Sequence, residues 1–156
     1  LGNHDFDELL MQGLTELATQ RPGFAWHPYV MQLQGSLFLH GDVADRRTSP
    51  DSLIFRRERW KIHKRPHPLR HDMYEWAMNF RLHKVPSLVV HRPKDVVRRL
   101  LYYVDLHPEL DRNSIRQIYF GHTHVPIDGL EYEGVRFFNG GAPIRGLPFR
   151  LIEVLP

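Results

Sequence analysis

Two short apolar runs in this chain end in closely similar sequence. Leu37-Phe38-Leu39 passes directly into His40-Gly41-Asp42, and Ile115 to Phe120 passes directly into Gly121-His122-Thr123-His124. A short apolar run bounded by glycine is a strand signal, so each histidine is expected at the C-terminal end of a strand. Val30-Met31-Gln32-Leu33, ahead of a Gly35-Ser36 turn, completes a hairpin with the first run. Pro93-Lys94-Asp95 opens a helix through about Leu106, with Val96, Val97, Leu100, Leu101 and Val104 on its inner face. Val135 to Asn139, a Gly140-Gly141 turn and Phe149 to Val154 read as further strands. Strand, helix and strand alternate, which makes the class α/β or α+β. Sheets of this kind bind ligands at their strand ends.

At the N-terminus, Asp5 is expected to cap a helix, with Glu8 as the reciprocal partner of a capping box. Phe6, Leu9, Leu10, Leu14, Leu17 and Ala18 follow at helical spacing, and Arg21-Pro22-Gly23 ends the helix. At 156 residues the whole, 1–156, reads as a single domain, with a basic insertion over about 46–84 read as two helices. Residues 46–71 hold nine Lys and Arg against two acids, a charge of +7 in a chain whose net charge is +3. That imbalance points to an anionic partner near one place. No apolar run approaches the roughly 18 residues of a membrane span and no signal-type leader is visible, so a cytoplasmic protein without a transmembrane segment is expected. With no cysteine among 11 histidines, any metal must be held by nitrogen and oxygen.

Three stretches carry candidate chemistry: Gly2-Asn3-His4-Asp5, His40-Gly41-Asp42 and Gly121-His122-Thr123-His124. Imidazole, amide oxygen and carboxylate together suit Mn, Fe, Zn, Co or Ni. In this order the motifs resemble those of the calcineurin-like metallophosphoesterases: G-N-H-[DE], a strand-terminal His often followed by Gly-Asp, and G-H-x-H. The resemblance runs from Leu1 to about Asn139 apart from the insertion. It implies the C-terminal part of an αββα sandwich that hydrolyses a phosphomonoester or phosphodiester. Asn3, His40 and His122 would bind one metal and His124 a second, the pair being two divalent ions (Mn, Fe or Zn) whose bridging hydroxide attacks phosphorus. His4 would be the proton donor to the leaving oxygen. A helical insertion before G-H-x-H is similar, in position and length, to that of the UDP-2,3-diacylglucosamine hydrolases.

The family's first two motifs, D-x-H and G-D-x-x-D, would lie upstream of Leu1. The chain alone is therefore expected to be an impaired phosphoesterase, completed by a preceding segment or a homodimer partner. A permuted alternative takes Gly41-Asp42-Val43-Ala44-Asp45 as G-D-x-x-D, with Asp42 bridging the metals and Asp45 orienting His4. Without it, Asp42 is a supporting or turn residue. Plainer alternatives stand beside these: His122 and His124 as surface histidines, Asp5 as a cap, the basic segment as a solvated helical face. His63, His67 and His71 share a four-residue spacing, but Pro66 and Pro68 break the helix it would need, so they are not taken as a metal site. Arg46 and Arg47, close to His40 in sequence, are candidates to bind the phosphate. The alternative of another class is a binding module without catalysis, whose basic insertion contacts nucleic acid or an anionic membrane surface.

Overall fold

The computed structural model describes residues 1–2, 5–59, 92–144 and 146–154. Asn3, His4 and most of the basic insertion, with Trp60, His63, His67, His71, Tyr74, Trp76 and Phe80, lie outside the described residues. The class is α+β, built on a five-stranded mixed sheet in the order β1-β2-β3-β5-β4. Strands β1 (Val30–Leu33) and β2 (Ser36–Leu39) form the expected hairpin. Gln34 and Gly35 between them take φ of 47° and 80°, the paired left-handed conformation that matches the twist of a two-residue hairpin. Strand β3 (Gln117–Phe120) lies parallel to β2, and β5 (Val135–Asn139) lies parallel to β3.

Strand β4 (Ile127–Tyr132) is an addition to the sequence reading. Its pairing with β5 slips between Asp128 and Leu130, with Gly129 at φ 67°, so the apolar alternation that announces a strand is interrupted. Glu133 and Gly134, at φ 48° and 74°, make the same kind of turn as Gln34 and Gly35. The tail departs from expectation in the other direction. Among the described residues of 149–154 the only sheet pairing is an isolated bridge from Phe149 to Gly141.

Period two sorts the central strands into faces. Leu37, Ile118 and Phe137 are register neighbours and fully buried. Against that face packs α3 (Pro93–Leu106), started by a proline in its first turn and burying Val96, Val97, Leu100, Leu101, Tyr103 and Val104. Each such side chain contributes about 1.5–3 kcal/mol of burial. On the opposite face Phe38, Tyr119 and Phe138 stack in a row, with ring centroids 5.0 and 4.9 Å apart, and remain half-buried.

Helix α1 (Glu8–Gln20) exists as expected, but its cap is Asp7, whose side chain accepts from the N–H groups of Leu9 and Leu10. Asp5 instead bonds back to Gly2, which corrects the capping-box assignment. No residue of α1 is buried; Leu9 is 78% exposed, and only Phe6, ahead of the helix, enters the interior, against Tyr29. The basic segment opens with α2 (Pro50–Glu58), capped by Ser49 and burying Leu53 and Arg57. Its described part is thus not simply a solvated face.

Candidate metal centre

Parallel pairing of β2 with β3 brings the two histidine motifs together. Leu39 is the register partner of Phe120, and one residue further the Gly121 N–H donates to the His40 carbonyl at 2.9 Å. Gly41 turns the chain there with φ of 105°, and a Cβ on it would lie 2.7 Å from the Gly121 carbonyl oxygen. Only glycine allows that approach.

The Gly121-His122-Thr123-His124 loop is tightly bent. The Thr123 N–H donates to the Gly121 carbonyl at 2.7 Å across His122, whose φ is 65°; this is a γ-turn, a strained conformation for a residue with a side chain. His124 follows with φ of 58°. Asn139, buried at the end of β5, holds the bend: its amide N–H₂ donates to the Gly121 carbonyl and to Thr123 Oγ1, both at 3.0 Å, and its oxygen accepts the Gly141 N–H at 2.8 Å. Backbone strain of about 1–3 kcal/mol per residue persists only where such surroundings over-determine it.

The bend aims the His122 ring at His40. His122 Nδ1 stands 3.2 Å from His40 Nε2, although 82 residues separate them. The other face of the His122 ring is also engaged, with Nε2 3.0 Å from both carboxylate oxygens of Asp45. Asp45 follows a short 3₁₀ turn, Asp42–Ala44, that directly continues the His40-Gly41 end of β2. Arg99 of α3 donates to the carbonyls of Ala44 and Asp45, at 2.7 and 3.0 Å, and so fixes where that turn ends.

Asp42 faces the interior instead. Its carboxylate takes two hydrogen bonds from Arg57, at 2.7 and 3.2 Å, with both side chains 1% exposed. Both oxygens of the Asp42 carboxylate are thereby engaged by Arg57. The Arg57 guanidinium also donates to the carbonyls of Leu1 and Pro28 and lies over the Phe6 and Tyr29 rings. It ties the start of the chain to the β2 end. Gly2, buried, packs directly on the His40 ring, where a Cβ would fall 2.7 Å from Cε1. Gly2 therefore lies against the His40 ring.

Burial lowers the His40 pKa from 6.5 to about 4, reinforced by the neighbouring His122 and opposed by Asp42. The ring is neutral at physiological pH, which keeps its lone pair available. Two nitrogens bound to one ion at about 2.0–2.1 Å, at 90–109° to each other, stand about 2.8–3.4 Å apart. The observed spacing of 3.2 Å suits that arrangement as well as it suits an N–H···N hydrogen bond. Histidine nitrogens so spaced, with a carboxylate on the outer nitrogen of one, fit a divalent transition metal in donor chemistry. Among the described residues, no group of three or more His, Cys, Asp or Glu side chains surrounds one point.

The other sequence candidates are distributed around this pair. His124 is exposed on the same loop. Arg47 is exposed, its guanidinium 5.5 Å from the Tyr102 ring centre, and exposed Arg46 lines an open groove with Asp51, Ser52, Phe55, Arg56 and Arg59. A pocket of about 300 Å³ beside His40 is lined largely by apolar groups, including Trp26, Tyr29, Met31 and Phe38. Sequence reading missed Arg57, Arg99 and Asn139 and weighed Asp45 only as a partner of His4. Asn139 carried a local signal, an Asn at a strand end before Gly-Gly. Among the described residues no helix is long and apolar enough to cross a membrane. Comparison with protein-family models, with curated proteins and with solved structures gave no match.

Proposed function

We propose that this chain supplies the histidine ligands of a metal-dependent phosphoesterase. The observation that carries the proposal is the pair formed by His40 and His122, whose ring nitrogens face each other at 3.2 Å from strand ends 82 residues apart. Three motifs far apart in sequence meet there, since Gly2 of Gly-Asn-His-Asp lies on the His40 ring. A sheet end is where α/β proteins assemble ligand sites.

On this proposal Asn3, His40 and His122 hold one divalent ion and His124 a second. Ions held there would supply Lewis-acid polarisation of a phosphoryl oxygen. The protein's own part is to present neutral imidazoles, which burial secures for His40. His4 would transfer a proton to the leaving oxygen. Arg46, exposed on the turn beyond Asp45, would meet the ester's negative charge. The half-buried row of Phe38, Tyr119 and Phe138 is the kind of face that a second sheet of an αββα sandwich covers.

The test is metal uptake with hydrolysis. After loading with Mn²⁺, Zn²⁺ or Fe²⁺, the protein is expected to retain metal through gel filtration and to cleave an aryl phosphate or a bis-aryl phosphodiester slowly, as an impaired enzyme, and in a chelator-sensitive way. His40→Ala and His122→Ala should each abolish both. No retained metal and no chelator-sensitive hydrolysis would overturn the proposal.

A further inference from the structure

The His40–His122 pair leaves open which ring nitrogen carries a proton, and a third residue decides it. A neutral imidazole has one N–H and one lone pair, and a carboxylate only accepts. His122 Nε2 lies 3.0 Å from both Asp45 oxygens, so a lone pair there would face two more acceptor atoms, whereas an N–H there is satisfied. In the neutral ring the N–H therefore belongs on Nε2, and the lone pair falls on Nδ1. That is the atom 3.2 Å from His40 Nε2. In the metal-free protein the direction of the chain follows: His40 Nε2–H donates to His122 Nδ1, and His122 Nε2–H donates to Asp45.

We propose that Asp45 is a positioning residue that holds His122 as its Nε2–H tautomer, presenting Nδ1 as a ready-made nitrogen ligand beside His40. The consequence for metal affinity rests on the phosphoesterase proposal; the tautomer assignment does not. Asp45 suits the task because its position is set independently of His122, by the 3₁₀ turn and by the Arg99 hydrogen bonds to the carbonyls of Ala44 and Asp45. Its side chain is 41% exposed and can be changed with little effect on the core. A carboxylate on the outer nitrogen of a ligating histidine fixes the ring and raises its basicity, and its loss costs about 10–100-fold in metal affinity.

Long-range ¹⁵N–¹H correlation spectra of the histidine rings, recorded on the metal-free full chain at about pH 8, well above the free-imidazole pKa of about 6.5, read the tautomer directly. The wild type should show His122 protonated on Nε2; Asp45→Ala should show a mixture. Asp45→Asn should stay close to the wild type, because its amide oxygen still accepts. Zn²⁺ titration should give about 10–100-fold weaker binding for Asp45→Ala and a much smaller loss for Asp45→Asn. His122 protonated on Nδ1 in the wild type, or an Asp45→Ala spectrum unchanged from it, would sink the inference. If the wild type shows the Asp45-dependent tautomer yet takes up no Zn²⁺, the positioning stands and the metal proposal falls.

Discussion

Arg57 closes on Asp42 through two hydrogen bonds of 2.7 and 3.2 Å, and neither side chain is more than 1% exposed. The pair joins α2 to the turn after β2, and the same guanidinium reaches the carbonyls of Leu1 and Pro28. One cation thus clamps three segments that surround His40. Removing it leaves the buried carboxylate with only the looser Arg56 guanidinium, 3.9 Å away, as counter-charge, so Arg57→Ala should lower stability by about 3–5 kcal/mol in urea unfolding. Arg57→Met combined with Asp42→Leu should recover much of that loss, because the uncompensated charge is gone.

At Gly41 the backbone passes close to Gly121. Gly41→Ala places a methyl 2.7 Å from the Gly121 carbonyl at φ of 105°, so both contact and conformation oppose it. The substitution should cost about 1–3 kcal/mol from the backbone conformation alone. A lower urea midpoint with an unchanged slope, together with shifted amide resonances at Gly121 and His122, would register it; an unchanged midpoint would refute it.

Asn139 makes three hydrogen bonds that shape the loop carrying His122 and His124. Asn139→Ala leaves buried partners unsatisfied, at about 1–3 kcal/mol. The Gly141 amide, which loses its acceptor, should exchange hydrogen faster than in the wild type. Metal binding should also weaken, since the strained His122 turn loses its brace. Asn139→Ala with wild-type exchange at Gly141 would contradict this role.

The folded-state pKa of His40, about 4, lies below that of a free imidazole because burial disfavours its charged form. Between about pH 6.5 and 4 the unfolded chain binds a proton that the folded, metal-free protein does not. Stability should therefore rise with pH through that window: the His40 penalty is absent above it, grows as pH falls, and is complete below about 4. Urea midpoints compared with those of His40→Gln should show a shallower acid loss in the variant. Parallel curves would count against the assignment.

The strand–His signals were legible because each is local: an apolar run, a glycine and a histidine in immediate succession. Helix α3 was legible for the same reason, its proline start and apolar spacing lying within 14 residues. Strand β4 was hidden by a bulge at Gly129, and the cap of α1 by two aspartates placed two residues apart. In the basic segment, sequence counts Arg57 as surface charge, while the fold consumes it in an ion pair with Asp42. Such pairings depend on which segments meet, and composition carries no record of that.

Sequence alone determined the residue types able to bind a metal, their place at strand ends and the absence of any thiolate alternative. Tertiary structure decided which of them face each other. His40 meets His122 because β2 and β3 are parallel neighbours, and Asp45 meets His122 because a 3₁₀ turn and Arg99 carry its carboxylate to the far side of the ring. Local periodicity sets where a strand ends, but contacts across 77 and 82 residues are set by sheet order and core packing, which no short stretch of sequence encodes.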